Sequence, residues 1–203
     1  MRDPENILAI AGLQPDYLGF VFYRPSVRYA GEMDPSAVHA LPSDIRKTGV
    51  FVNASEQFVT DAIKRYRLDL VQLHGSESPE LCRAVRRIVP VIKAVSVGSA
   101  EDIIRLTPIY RSVADYYLFD TRTRLTGGSG KQFDWSALTA YTGDLPFFLS
   151  GGIGLADAER IKNLSHPQLY AIDINSCFET APGMKDTASV KNFLSSLKGA
   201  GKT

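Results

Sequence analysis

YYLFDTRTRLTGGSGKQFDW, residues 116–135, decides how the rest of the chain is read. Its apolar run Tyr117-Leu118-Phe119 has the composition of a buried strand and delivers the carboxylate of Asp120 to that strand's C-terminal end. A polar loop then passes through Gly127, Gly128 and Gly130, carries Lys131, and reaches Asp134, where a helix is expected to start. An acid at a strand end, with glycines and a cation close behind, is one side of an active site in a β/α protein. The same pattern also fits a plain βα connection in which Asp120 caps local amides, so the neighbouring units have to decide.

Upstream, Asp3-Pro4-Glu5 opens a helix, with Asp3 as cap and Pro4 in the first turn. Residues 17–23 (YLGFVFY) follow as a strand with little polar alternation, as expected where both faces are covered. A loop with Arg24, Arg28 and Tyr29 leads to a short helix near Asp34-Pro35. Strands at 48–53, 68–74 and 91–97 then alternate with helices at 55–65, 79–88 and 101–106, the last blurred by Pro108. Beyond the opening stretch come a helix near 135–141, a strand at 147–150, a helix at 155–163, a strand at 169–175, a loop, and a helix at 187–197.

Seven strands and eight helices, at roughly 20 to 30 residues per unit, imply parallel strands joined by right-handed crossovers in one domain spanning 1–203. A doubly wound sheet usually begins with a strand and a glycine-rich nucleotide loop, and none is found here. The expected architecture is α/β, a (β/α)8 TIM barrel whose first strand is missing from the numbered chain. Seven parallel strands cannot close in the usual eight-strand register, and the two open edges would expose unpaired backbone groups.

The net charge of +1 favours neither nucleic acid nor an anionic membrane as partner. No segment approaches 18 apolar residues and the first residues lack a basic head and apolar core, so a cytoplasmic protein is expected. Cys82 and Cys177 form no disulfide framework or zinc spacing.

In a β/α barrel the chemistry collects on the loops after the strands, which here present Arg24 and Arg28, Asn53, His74, Lys93, Asp120, Gly151-Gly152, and Asp173, Asn175 and Ser176. Gly151 and Gly152 let amides approach an anion at the start of the next helix, and Asn175 with Ser176 can complete a phosphate site from the other side. Arg28 beside Tyr29 suits a two-pronged grip on a carboxylate, or a solvated loop. His74 can orient a ligand or be satisfied by its neighbours. Lys93 lies in an apolar strand and needs an anionic partner, Asp120 or Asp173, or access to the barrel mouth.

The segments GFVFYRPSVRY (19–29), GVFVN (49–53), VQLHGSESPELC (71–82), IKAV (92–95), LFDTRT (118–123), GGSGKQFDW (127–135), LSGGI (149–153) and DINSCFETAPGMKD (173–186) go further. In combination they resemble the phosphoribosylanthranilate isomerase family of tryptophan biosynthesis along nearly the whole chain. The resemblance implies an Amadori rearrangement of phosphoribosylanthranilate, a small-molecule substrate, without metal or organic cofactor, by a monomer or homodimer. It makes Asp120 the general acid and Arg28 the holder of the anthranilate carboxylate. Gly151, Gly152, Asn175 and Ser176 cradle the phosphate, Gly127, Gly128 and Gly130 form the substrate loop beside the acid, and His74, Lys93 and Asp173 support.

Two departures stand out. The family opens with a strand ending in a Lys-x-Cys-Gly-Met-like motif whose cysteine is the general base, and Met1-Arg2-Asp3-Pro4 matches what comes just after its Cys-Gly. The resemblance thus puts both strand and base ahead of Met1 and leaves residues 1–203 alone expected to be inactive, unless Cys177 substitutes. Cys177 also stands where the family usually has glycine, and Asn175 replaces a serine. Other readings are a different sugar-phosphate isomerase or epimerase, and a non-catalytic phosphate-ligand binding barrel.

Overall fold

The structure, a computed structural model, describes residues 1–122 and 132–198. Seven strands form one parallel sheet in chain order: β1 (Tyr17–Val21), β2 (Arg46–Phe51), β3 (Leu70–Leu73), β4 (Val91–Val97), β5 (Tyr116–Thr121), β6 (Phe147–Leu149) and β7 (Leu169–Ile172). The sheet curls far enough for its two edge strands to meet at one end, where the Tyr17 and Tyr170 hydroxyls lie 3.0 Å apart. Beyond that bridge, β1 and β7 are not paired with each other.

Seven α-helices accompany the strands: α1 (Pro4–Ala11), α2 (Ser36–His39), α3 (Glu56–Tyr66), α4 (Pro79–Arg86), α5 (Ala100–Tyr110), α6 (Ala158–Lys162) and α7 (Thr187–Lys198). The cap expected at Asp3 is present, its side chain accepting from the Asn6 amide, and Ser55 and Ser78 accept in the same way from the Phe58 and Leu81 amides. α1 packs against both α2 and α7 and so bridges the helical layer across the seam between β1 and β7.

Three helical elements differ most from expectation. α5 runs through Pro108 to Tyr110, because the Ile104 carbonyl that loses its donor lies on the outer face of the helix, where Ile104 is 60% exposed and water can satisfy it. Residues Trp135–Ala140 form a 3-10 helix rather than an α-helix. There Ser136 Oγ donates to Asp134 and Thr139 Oγ1 to the Ser136 carbonyl, and such local bonds compete with the α pattern. The helix expected at 155–163 is a 3-10 turn, Leu155–Asp157, followed by the short α6; the Asp157 carboxylate ties back to the Gly154 amide at 2.8 Å and tightens that turn.

Strand alternation sorts the side chains onto two faces. Leu70, Ile92, Leu118 and Phe148 pack together inside the curl, joined by Tyr17, Ala94, Tyr116 and Ala171. Neighbours of opposite parity, among them Val71, Val91, Tyr117 and Phe147, pack outward under the helices. Lys93 has this outward parity. Expected to pair with Asp120 or Asp173, it instead meets Glu77, Nζ to Oε2 at 2.9 Å, because its stem leaves the opposite face of the sheet. Nζ also donates to the carbonyls of Leu73 and Gly75 and lies 5.2 Å from the Tyr110 ring centroid.

Glu77 completes this knot by accepting from the Asn53 and Gly75 amides. Burial pushes its carboxyl up, yet the Lys93 ammonium and the Asn53 amide outweigh that and hold it below the usual range. Lys93→Met therefore strands a carboxylate whose side chain is fully buried. The expected loss is about 3–5 kcal/mol in urea unfolding, with much of it recovered when Glu77→Gln is added.

Candidate active site

The C-terminal ends of the strands open into a cavity of about 430 Å³, set against the seam and walled by β1 on one side and β7 on the other. Arg28, His74, Asp120, Gly151, Gly152, Asp173, Asn175 and Ser176, eight of the residues expected there, all line it. Lys93, under the helices, does not. Gly127, Gly128, Gly130 and Lys131 lie outside the described residues.

Asp120 shares the inward parity of Tyr116 and Leu118 and so faces the cavity. Its Oδ1 accepts from the Thr121 amide at 2.8 Å, and its Oδ2 lies 3.1 Å from His74 Nε2. His74 Nδ1 in turn lies 2.7 Å from Gln72 Oε1. Gln72 and His74 are two residues apart, so both project from the same face of β3 and its extension. The acid is held closely from one more side: a Cβ on Gly151 would come within 2.3 Å of Thr121 Oγ1 and 2.9 Å of Asp120 Oδ1. Gly151 also has φ +93°, a conformation that a side chain disfavours.

Asp173, past the end of β7, accepts from Ser150 Oγ at 2.9 Å. Burial pushes its carboxyl above the ordinary range; the Ser150 hydrogen bond opposes this and the nearby Asp120 charge reinforces it.

Arg28 reaches the cavity from the loop after β1 and is anchored from the far end of the chain. Its Nε and Nη2 grip Glu179 at 2.6 to 3.0 Å. Glu179 opens β8 (Glu179–Ala181), which pairs antiparallel with β9 (Met184–Lys185) in a hairpin that the sequence reading had as loop. Lys185 Nζ lies 3.1 Å from Glu179 and donates to the carbonyl and the Oδ1 of Asn175. Burial pushes Glu179 up, but Arg28 and Lys185 hold it below the usual carboxylate range. Among the described residues Arg28 Nη1 takes no hydrogen-bond partner, which leaves that edge of the fork for a ligand.

On the loop after β6, Gly151 and Gly152 both have positive φ, and the amides of Gly152 and Ile153 have no acceptor among the described residues. Ser176 begins a short 3-10 turn across from them. Asn175 lines the cavity; its Oδ1 accepts from Lys185, which leaves its Nδ2 donor without an acceptor among the described residues. Cys177 Sγ lies 3.6 Å from the Gly152 carbonyl, behind the glycine loop, and does not line the cavity. Chemically the cavity brings together an acid, a cation and free amides. Sequence reasoning missed Gln72, Glu77, Ser150, Glu179 and Lys185. For Gln72 the signal was its parity with His74, and for Glu179 and Lys185 their place inside the segment 173–186 that carries the family resemblance.

Fold and cavity define a β/α-barrel-like protein, with seven parallel strands among the described residues and a cavity at their C-terminal ends that holds an acid, a cation and free amides. The family model for N-(5'phosphoribosyl)anthranilate (PRA) isomerase matches residues 1–196, and the chain belongs to that family. It is 45% identical over 201 residues to the N-(5'-phosphoribosyl)anthranilate isomerase of Parabacteroides distasonis, covering 97% of this chain and 90% of that one. The relative of the same name from Phocaeicola vulgatus is 41% identical, covering 98% and 95%. Among solved structures, phosphoribosyl anthranilate isomerase from Thermotoga maritima superposes with a TM-score of 0.86 at 36% identity, covering 98% of this chain and 96% of that one. A phosphoribosyl anthranilate isomerase in complex with reduced 1-(o-carboxyphenylamino)-1-deoxyribulose 5-phosphate gives 0.84 at 33% identity, covering 98% and 95%. No helix among the described residues is long and apolar enough to cross a membrane.

Gly151→Ala should cost roughly 1–3 kcal/mol in urea unfolding from backbone strain alone. Because the new Cβ also collides with Thr121 and Asp120, turnover should fall further than the lost stability explains.

Proposed function

We propose that the protein is an isomerase converting N-(5-phospho-β-D-ribosyl)anthranilate to 1-(2-carboxyphenylamino)-1-deoxy-D-ribulose 5-phosphate, a step of tryptophan biosynthesis. The observation that carries this reading is the convergence of Asp120, Arg28 and the Gly151-Gly152 amides on one cavity in a chain of this family. The open Nη1 edge of Arg28 takes the anthranilate carboxylate, and the amides after β6 with Ser176 take the phosphate. The ribose ring then lies between them, at Asp120.

Asp120 gives its proton to the ribose ring oxygen as the bond from C1 to that oxygen breaks, and the nitrogen lone pair forms the C1=N bond of a Schiff-base cation. A base removes the proton at C2, and the C–H electron pair neutralises the cation to an enol-amine. Return of that proton to C1, with loss of the enol O–H proton to the Asp120 carboxylate, gives the ketone and restores the acid. No external oxidant or hydride carrier enters this balance.

Neither cysteine is placed to be the base. Cys82 is buried in α4, where burial pushes its thiol up to about 11, and Cys177 lies outside the cavity. The resemblance gives the base as the cysteine of a Lys-x-Cys-Gly-Met-like motif, which residues 1–203 do not contain. A chain given that motif at its N-terminus is then expected to turn over at least about 100-fold faster than residues 1–203, followed by loss of substrate fluorescence. Equal rates in the two would put the base within 1–203.

Binding of the reduced product analogue, measured by calorimetry, separates the roles of the two charged residues. Asp120→Asn should bind it within about threefold of the parent while losing at least ~100-fold in turnover. Arg28→Lys, which loses the planar fork, should weaken binding about tenfold or more. Retained turnover in Asp120→Asn would remove Asp120 from the chemistry.

A further inference from the structure

The loop after β6 can offer the Ile153 amide to the cavity only if the peptide joining Gly152 to Ile153 stands one way round. A trans peptide is flat, and no cis bond occurs among the described residues, so the Gly152 carbonyl and the Ile153 N–H point in opposite directions. Whatever holds the carbonyl therefore also aims the amide. Gln132, from the segment between β5 and β6, supplies that hold: its Nε2 donates to the Gly152 carbonyl at 3.0 Å and to Asp157 Oδ2 at 2.6 Å, and its Oε1 accepts from Arg160 Nη1 at 3.0 Å. The orientation of this side-chain amide is forced by two partners whose roles cannot change. A carbonyl only accepts and a guanidinium only donates, so nitrogen faces Gly152 and oxygen faces Arg160.

Arg160 is itself held, its guanidinium carbon lying 3.9 Å from the centroid of the Trp135 ring. Asp157 Oδ2 also accepts from the Gly154 amide at 2.8 Å, which takes that amide out of play. Cys177 Sγ, 3.6 Å from the Gly152 carbonyl, is a second and weaker donor behind it. Gly152 and Ile153 line the cavity, whereas Gln132, Asp157, Arg160 and Cys177 do not. We propose that Gln132 is a positioning residue of this loop: by pinning the Gly152 carbonyl on the side away from the cavity, it keeps the Ile153 N–H turned into the cavity for the phosphate of the ligand. The pin matters because Gly152 has no side chain to bar the rotation that would turn the peptide over. Turned over, the same peptide would present a carbonyl oxygen to the ligand and repel the phosphate.

This inference rests on the isomerase reading for the identity of the phosphate ligand, and two probes separate them. Inorganic phosphate added to 15N-labelled protein should move the Ile153 amide signal of the parent. Gln132→Met, similar in length but without donor or acceptor, should need about tenfold more phosphate for the same shift. Calorimetry then compares the reduced product analogue with the same compound lacking its phosphate. Gln132→Met should bind the phosphorylated analogue about tenfold more weakly than the parent does, and the phosphate-free one within about twofold, which also reports that the variant is folded. In a form of the protein that turns over, KM should rise while kcat stays within about threefold. An Ile153 amide that ignores phosphate in the parent, phosphate binding unchanged in Gln132→Met, or equal weakening of both analogues would overturn the proposal. If the parent responds to phosphate at Ile153 but does not bind the analogue, the isomerase reading is what has failed, and the phosphate titration still decides the role of Gln132.

Discussion

A parallel strand covered on both faces has no solvent side, so each polar side chain on it must be satisfied on whichever face its parity assigns. That constraint organises the charged interior of this protein. β4 sends Lys93 outward, and the structure meets it there with Glu77, two carbonyls and an aromatic ring. β3 sends Gln72 inward and β5 sends Asp120 inward, and they are joined through His74. The two networks lie on opposite faces of one sheet and share a single short loop. The carbonyl and amide of Gly75 belong to the Lys93–Glu77 knot, and the residue just before it is His74. A buried ion pair that never touches the cavity thus sets the backbone from which a cavity residue projects.

The barrel was legible from alternation alone, because long apolar runs such as residues 91–97 and capped helix starts such as Ser55 and Ser78 are local signals with local causes. Element ends were less so. The opening strand stretch at 17–23 shortens to Tyr17–Val21, and the helix near 135–141 becomes a 3-10 turn once serine and threonine side chains compete for the backbone. Asp120, Arg28 and the glycine pair were found because each occupies a strand end, a position that can be counted along the sequence.

Partners were harder to find than positions. The expected pairing of Lys93 with an aspartate across the cavity had the right chemistry and the wrong face, and parity would have rejected it had the sheet's two sides been assigned first. The Glu179 grip on Arg28 could not be counted at all. It joins residues 151 positions apart through a hairpin whose strands are only three and two residues long, and which carries almost no strand signal of its own. Similarly, the hydrogen bond from Lys185 to Asn175 Oδ1, made across that hairpin, could not be counted along the sequence.

The hairpin clamp has a consequence for how the protein is made. Arg28 is synthesised early and its partner Glu179 late, and Tyr17 waits for Tyr170 in the same way across 153 positions. While the chain is still growing, the strands can pair one after another, but Arg28 at the cavity has no fixed position until the hairpin emerges. Contacts this distant in sequence slow the last stage of folding, since their loop-closure entropy is met before they return any energy. The charged lining of the cavity therefore matures at the end of synthesis, and a nascent chain that has built most of its sheet still lacks a fixed Arg28.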